Sequence, residues 1–352
     1  ATRYSEGLLA IKYRVENKDG NMSGGPMFVL ERGMKCKWLG VAFAVFTAIA
    51  AFGIGNLTQG NAAAEQLHHA FAIPSWGTAA VLTILTALVM LGGIRSIAKV
   101  CAFFVPFMAV IYIIGCVYIL AVQSHYILPA IRYILDCAFT GEAAAGGVVG
   151  AAVMTAMRTG VARGLFSNEA GLGSAAIASA AAQNRNPVRQ ALISSSGPFW
   201  DTVVICALTG IVLTTSILAH PDISSSDGPR LTTLAFSKIP YVGSPLLTVS
   251  LVTFVVSTIL GWSYFGEKAL EYLGGIRLIT PYRVIWVAAV FTGCVSKIDL
   301  VWVFADCANG LMALPNLISL LALSGVLVQQ TRYYLWQHRL DDYDDSHIPE
   351  GK

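Results

Sequence analysis

Apolar residues in this chain gather into runs of about the length that crosses a bilayer as a helix, roughly 20 residues each. The first covers 38–62, oily in its first half and rich in Gly, Asn and Gln in its second. Further runs fall near 77–94, 101–122, 192–218, 244–266, 283–296 and 301–328. The stretch 146–183 is small-residue-rich and interrupted by polar groups and glycine, which predicts a broken span. The pattern therefore predicts eight crossings. Between them lie the polar loop EQLHHAFAIPSW, the basic turns GGIRSIAKV and NRNPVRQ, and a weakly amphipathic connector at 123–145. Residues 1–37, which mix Lys and Arg with Glu and Asp, are expected as a cytoplasmic loop. Residues 38–328 form the expected membrane domain, and 329–352 a polar cytoplasmic tail.

Composition supports an all-α integral membrane protein. Of the 352 residues 55% are hydrophobic and 12% charged, with mean hydropathy +0.65. Soluble domains carry roughly 25% charged residues, so a soluble enzyme is excluded. A net charge of +3 is too small to suggest a nucleic-acid partner; the partner implied is the lipid bilayer. With eight crossings, Lys and Arg divide 17 to 4 between the two sides, which places both termini in the cytoplasm of a cell-membrane protein. Arg158 and Arg163 stand apart, inside the broken span. The seven cysteines are scattered without a CxxC pair and read as small hydrophobic residues. The opening Ala-Thr-Arg has neither an initiator Met nor a signal-like pattern, and reads as the interior of a longer chain.

Polar groups at membrane depth are costly unless they line a cavity or satisfy one another, so the places where a span stops being oily carry the functional signal. The strongest is GVARGLFSNEAGLGS at 160–174, where Arg163, Ser167, Asn168 and Glu169 sit among four glycines. A discontinuous helix there frees backbone groups for a cation and a small zwitterion; a re-entrant loop with Arg163 paired to Glu169 fits the residues equally well. In Gly53-Ile-Gly-Asn-Leu-Thr-Gln-Gly-Asn61, Asn56 and Gln59 share a helix face. They would serve either a ligand or helix–helix hydrogen bonding. In STILGWSYFGE, Ser257 and Thr258 offer hydroxyl oxygens and Trp262 lies one turn from Thr258. Bonding back to their own helix is the plainer reading of that pair. Asp201 lies about ten residues into its span, where it could pair with Arg158 or Arg163 or relay a proton. Asp306, Asn309 and Asn316 make a weaker polar stripe beside Pro315. An intramembrane enzyme would need a nucleophile with a base in reach. The sequence has no GxSxG or HExxH, and its histidines fall in loops or the tail. A channel would want a repeated filter or a ring of like charges, and neither occurs.

MSGGPMFVLERG, GIGNLTQGN, GVARGLFSNEAGLGSA and STILGWSYFGE, taken in that order, resemble the alanine or glycine:cation symporter family over nearly the whole chain. The resemblance implies a leucine-transporter-like bundle of two inverted five-helix repeats and symport of alanine or glycine into the cell. Sodium enters as the coupling ion, with no further cofactor; proton coupling through Asp201 or Glu169 is the close variant. By the same likeness Gln59 touches the substrate, Phe166 walls the pocket with Ser167 nearby, and Thr258 and Trp262 line it. Ser257 and Thr258 would be side-chain ligands to sodium. The family's glycine-rich first helix has no counterpart here, and ATRYSEGLLAIKYR resembles only the end of helix two, so a fragment with an incomplete site is expected.

Overall fold

The computed structural model describes residues 1–17, 20–139, 160–161, 164–165, 167–223, 230–296 and 299–342. Helices dominate. Seven of the eight predicted spans coincide with apolar helices, five of them long enough to cross a membrane: Lys37–Phe71, Gly93–Val122, Pro187–Ala219, Gly243–Gly274 and Ile276–Val295. Ser75–Leu91 is shorter, and Asp306–Ala322 with Ser324–Trp336 forms a pair bent by 57°. In the remaining stretch, 146–183, residues 146–159, 162, 163 and 166 lie outside the described residues, and the rest is taken up with the site below.

Within 1–37, the described residues carry helices and a short strand pair. Helix α1 (Thr2–Lys12) is followed by the antiparallel pair β1 (Val15–Glu16) and β2 (Met22–Ser23), then α2 (Pro26–Phe28) running into a π turn at Val29–Gly33. Leu8, Leu9 and Ala10 of α1 are buried. The interleaved charges hide this apolar stripe from a reading by overall polarity.

The spans run longer than their oily cores. Helix α3 (Lys37–Phe52) continues through Gly53–Leu57 into α4 (Thr58–Phe71), so most of the expected loop EQLHHAFAIPSW is helical. Ala63 and Ala64 face inward while Glu65 is exposed, and the helix ends where Ala72 turns left-handed at φ 55°. Helix α5 (Ser75–Leu91) starts after Pro74, and α6 (Gly93–Val122) absorbs the basic stretch expected as a turn. Helix α7 is Ile127–Phe139, α8 Ser174–Ala180 and α9 Pro187–Pro198. Asn186 caps α9 through its Oδ1, which accepts from Val188 N–H and Arg189 N–H at 3.0 Å. A π stretch, Phe199–Cys206, leads into α10 (Ala207–Ala219). Helices α11 (Leu231–Ser237), α12 (Gly243–Gly274), α13 (Ile279–Val295), α14 (Asp299–Ala322) and α15 (Ser324–Thr331) complete the chain.

Two compact units result. The first comprises residues 1–102, 169–198 and 255–352. Its α1 packs on α8 and α9, α14 on α3, and α13 on α4 and α5. One cluster of its core joins Leu8, Leu9, Val188, Ala191, Leu320 and Leu323. The second comprises residues 103–168 and 199–254, centred on Cys116, Ile119, Val212, Phe236 and Leu247.

Candidate functional site: a π turn, a tryptophan and a left-handed loop

The Gly/Asn/Gln half of the first span does not break the helix; it widens it. Thr58 N–H reaches back five residues to Gly53 O, as in a π turn. The Ile54 carbonyl instead accepts from the Thr58 hydroxyl at 2.9 Å and from Gln59 Nε2 at 3.1 Å. With its amide nitrogen engaged, Gln59 keeps its oxygen as the acceptor it can offer. Asn56, fully buried, donates from Nδ2 to Trp286 O at 2.9 Å and ties the turn to α13. Gly293 makes the close approach possible, since a Cβ there would stand 2.8 Å from Leu57 O.

Helix α12 crosses the same turn. A Cβ on Gly55 would fall on the Cβ and ring of Trp262. Ala51 Cβ is 3.2 Å from where a Cβ on Gly266 would be, and Tyr272 Oη is 2.8 Å from the corresponding point on Gly40. Numbers rise along α3 as they fall along α12, so the two run antiparallel. Gln59 lies four residues beyond Gly55, and Thr258 four residues before Trp262. Trp262 is 5% exposed, with Phe265 edge-on at 5.5 Å. Ser257 and Thr258 are half-buried, and both already have interaction partners.

Within 160–174, residues 162, 163 and 166 lie outside the described residues. Residues 168–173 are non-helical, with Glu169, Gly171 and Gly173 at φ 49°, 91° and 86°. Glycine supplies the left-handed region without strain at two of these positions. Glu169 Oε2 accepts from the Ser174 hydroxyl at 2.8 Å. The anchor of the turn is Glu6 of α1, whose Oε1 accepts from Gly171 N at 3.0 Å, Gly173 N at 3.1 Å and Asn316 Nδ2 at 2.7 Å. Asn316 also donates to Gly171 O at 2.9 Å. It follows Pro315, which has no N–H to give the helix. Burial pushes the Glu6 carboxyl up to about 7, against Arg3 and the three donors, which pull it down.

Glu6 was missed by the sequence reading. The available signal was an acid in register with Leu9 and Ala10, three and four positions on, and so on the buried face of α1. Ser167 belongs to the second unit, where its hydroxyl donates to Asp201 Oδ2 at 2.6 Å. Asn168 there donates to Thr202 Oγ1 at 2.7 Å. Phe166 and Arg163 lie outside the described residues, as does Arg158, so the expected partners of Asp201 and Glu169 among the arginines fall there too.

The sodium:alanine symporter family matches residues 1–347 of the chain. This chain belongs to that family. It is 49% identical over 339 residues to the sodium/alanine symporter AgcS of Methanococcus maripaludis, covering 95% of this chain and 74% of that protein. An uncharacterized transporter of Haemophilus influenzae is 44% identical over 352 residues, covering 99% and 76%. The probable sodium/glutamine symporter GlnT of Bacillus subtilis is 34% identical over 345 residues, covering 96% and 70%. The chain thus spans about three quarters of the length of these first two relatives. The chain is a multi-pass, all-α membrane protein of a transporter family.

Proposed function

We propose that this protein is a secondary active transporter of the cell membrane, carrying a small neutral amino acid, alanine or glycine, into the cell together with Na⁺. Both termini of the chain face the cytoplasm in this reading. The observation that carries it is the contact of Gly55 with Trp262, which seats the π turn against α12; in this reading Gln59 and Thr258 flank that contact. The Gln59 oxygen suits an ammonium donor. Trp262, seated on Gly55, leaves a wall against which a hydrogen or methyl side chain fits better than a long one. Ser257 and Thr258 offer hard oxygen ligands to sodium, which is cargo here rather than a resident cofactor. Asn56 holds the turn in place. Transport needs no covalent chemistry: amino acid and ion each favour the same arrangement of the interrupted helices, so each raises the other's affinity.

Uptake of radiolabelled alanine into proteoliposomes, with and without an inward sodium gradient, tests this reading in wild type and Gln59→Ala. Sodium-driven uptake that the substitution abolishes is expected. Uptake driven by a pH gradient alone would move the coupling to a proton, and unchanged uptake in the variant would remove Gln59 from the site.

A further inference from the structure

We infer that Glu6 is a positioning residue that latches the 169–173 turn to α14, and that its proton sets how readily the latch opens. Its Oε1 gathers two backbone amides of the turn and the side chain of Asn316, so one atom fixes two irregular elements. Its Oε2 is buried with no hydrogen-bond partner among the described residues, and the residue is 2% exposed. A carboxyl with one saturated oxygen and one orphaned oxygen is half satisfied as an anion, and a proton on Oε2 removes the charge without disturbing the three donors.

Among the described residues, the charged groups on the elements packed around Glu6 are few. Arg3 acts on it from α1, and Glu169 stands in the turn itself. Helix α8 carries no charge, the charged residue of α9 is Arg189, which is exposed and 3.8 Å from Asp341, and α15 has none. The π turn after α2 adds Glu31 and Arg32, and α14 carries Asp299 at its start and the exposed Asp306. Arg3 favours the charged form, but burial outweighs it and holds the carboxyl near 7. Any opening that wets Glu6 returns it towards about 4.3, the ordinary value for Glu. By linkage a proton therefore favours the closed latch, and its loss above about neutral pH eases opening.

This inference deepens the transport reading, but its first test does not depend on it. Amide exchange of the peptide spanning residues 169–174, corrected for intrinsic rates, is measured by mass spectrometry at about pH 6 and about pH 8. Wild type should exchange several-fold faster at the higher pH, and Glu6→Gln, which mimics the protonated group, should not. A flat wild type, or the same rise in Glu6→Gln, overturns the proposal. Where Glu6→Gln fails to fold, Glu169→Gln decides: the rise must persist there, since its loss would assign the proton to Glu169. In alanine uptake, Glu6→Gln should keep the low-pH turnover at every pH, with KM little changed. A wild-type pH profile in the variant would contradict the latch and leave the transport reading intact.

Discussion

Gly55 lies against Trp262 with no room for a Cβ between them. The contact fixes how closely the π turn and α12 approach, and the register on either side of it follows. Replacing Gly55 by Ala should force the indole aside, at a cost typical of overpacking a tight core, about 1–3 kcal/mol. Thermal unfolding of the purified variant should show the loss, and alanine uptake should fall further than stability alone explains, because Trp262 is displaced from the proposed site. Normal uptake in Gly55→Ala would mean that the position of Trp262 is not critical.

Asn56 and Gln59 sit three residues apart, yet they should respond differently. Asn56 donates to a buried carbonyl of α13, so Asn56→Ala leaves the Trp286 carbonyl without that donor and should destabilise by about 1–3 kcal/mol. The expected signature is a lower Tm with a nearly unchanged KM for alanine in the protein that remains folded. A large KM effect at constant Tm would make Asn56 a direct ligand.

For Gln59 the order reverses. The Ile54 carbonyl keeps the Thr58 hydroxyl when the amide is removed, so Gln59→Ala should shift Tm little. A hydrogen bond to a charged ammonium contributes about 1.5–3 kcal/mol, so alanine affinity should drop roughly ten- to a hundredfold. Binding measured on detergent-solubilised protein separates this from any change in transport rate.

The apolar spans and the irregular backbone at 168–173 were legible because each rests on a local property. Apolar run length marks a span, and glycine beside polar residues marks an irregular backbone. What escaped depends on partners far along the chain. Nothing near Gly53–Leu57 distinguishes a π turn from an interruption; the outcome is decided by α12 and α13 packing against its glycines. Glu6 looks like one more charge in a polar segment until Gly171, Gly173 and Asn316, between 165 and 310 residues away, converge on it. The long helical ends at Phe71 and Gly274 were hidden because exposed polar faces continue a helix whose oily stripe has already ended.

The equilibrium affinity for alanine, titrated at rising sodium concentration in wild type and Thr258→Ala, tests the shared site most directly. The dissociation constant should fall steadily as sodium rises in wild type and stay nearly flat in the variant. Alanine bound equally tightly with and without sodium would contradict the account.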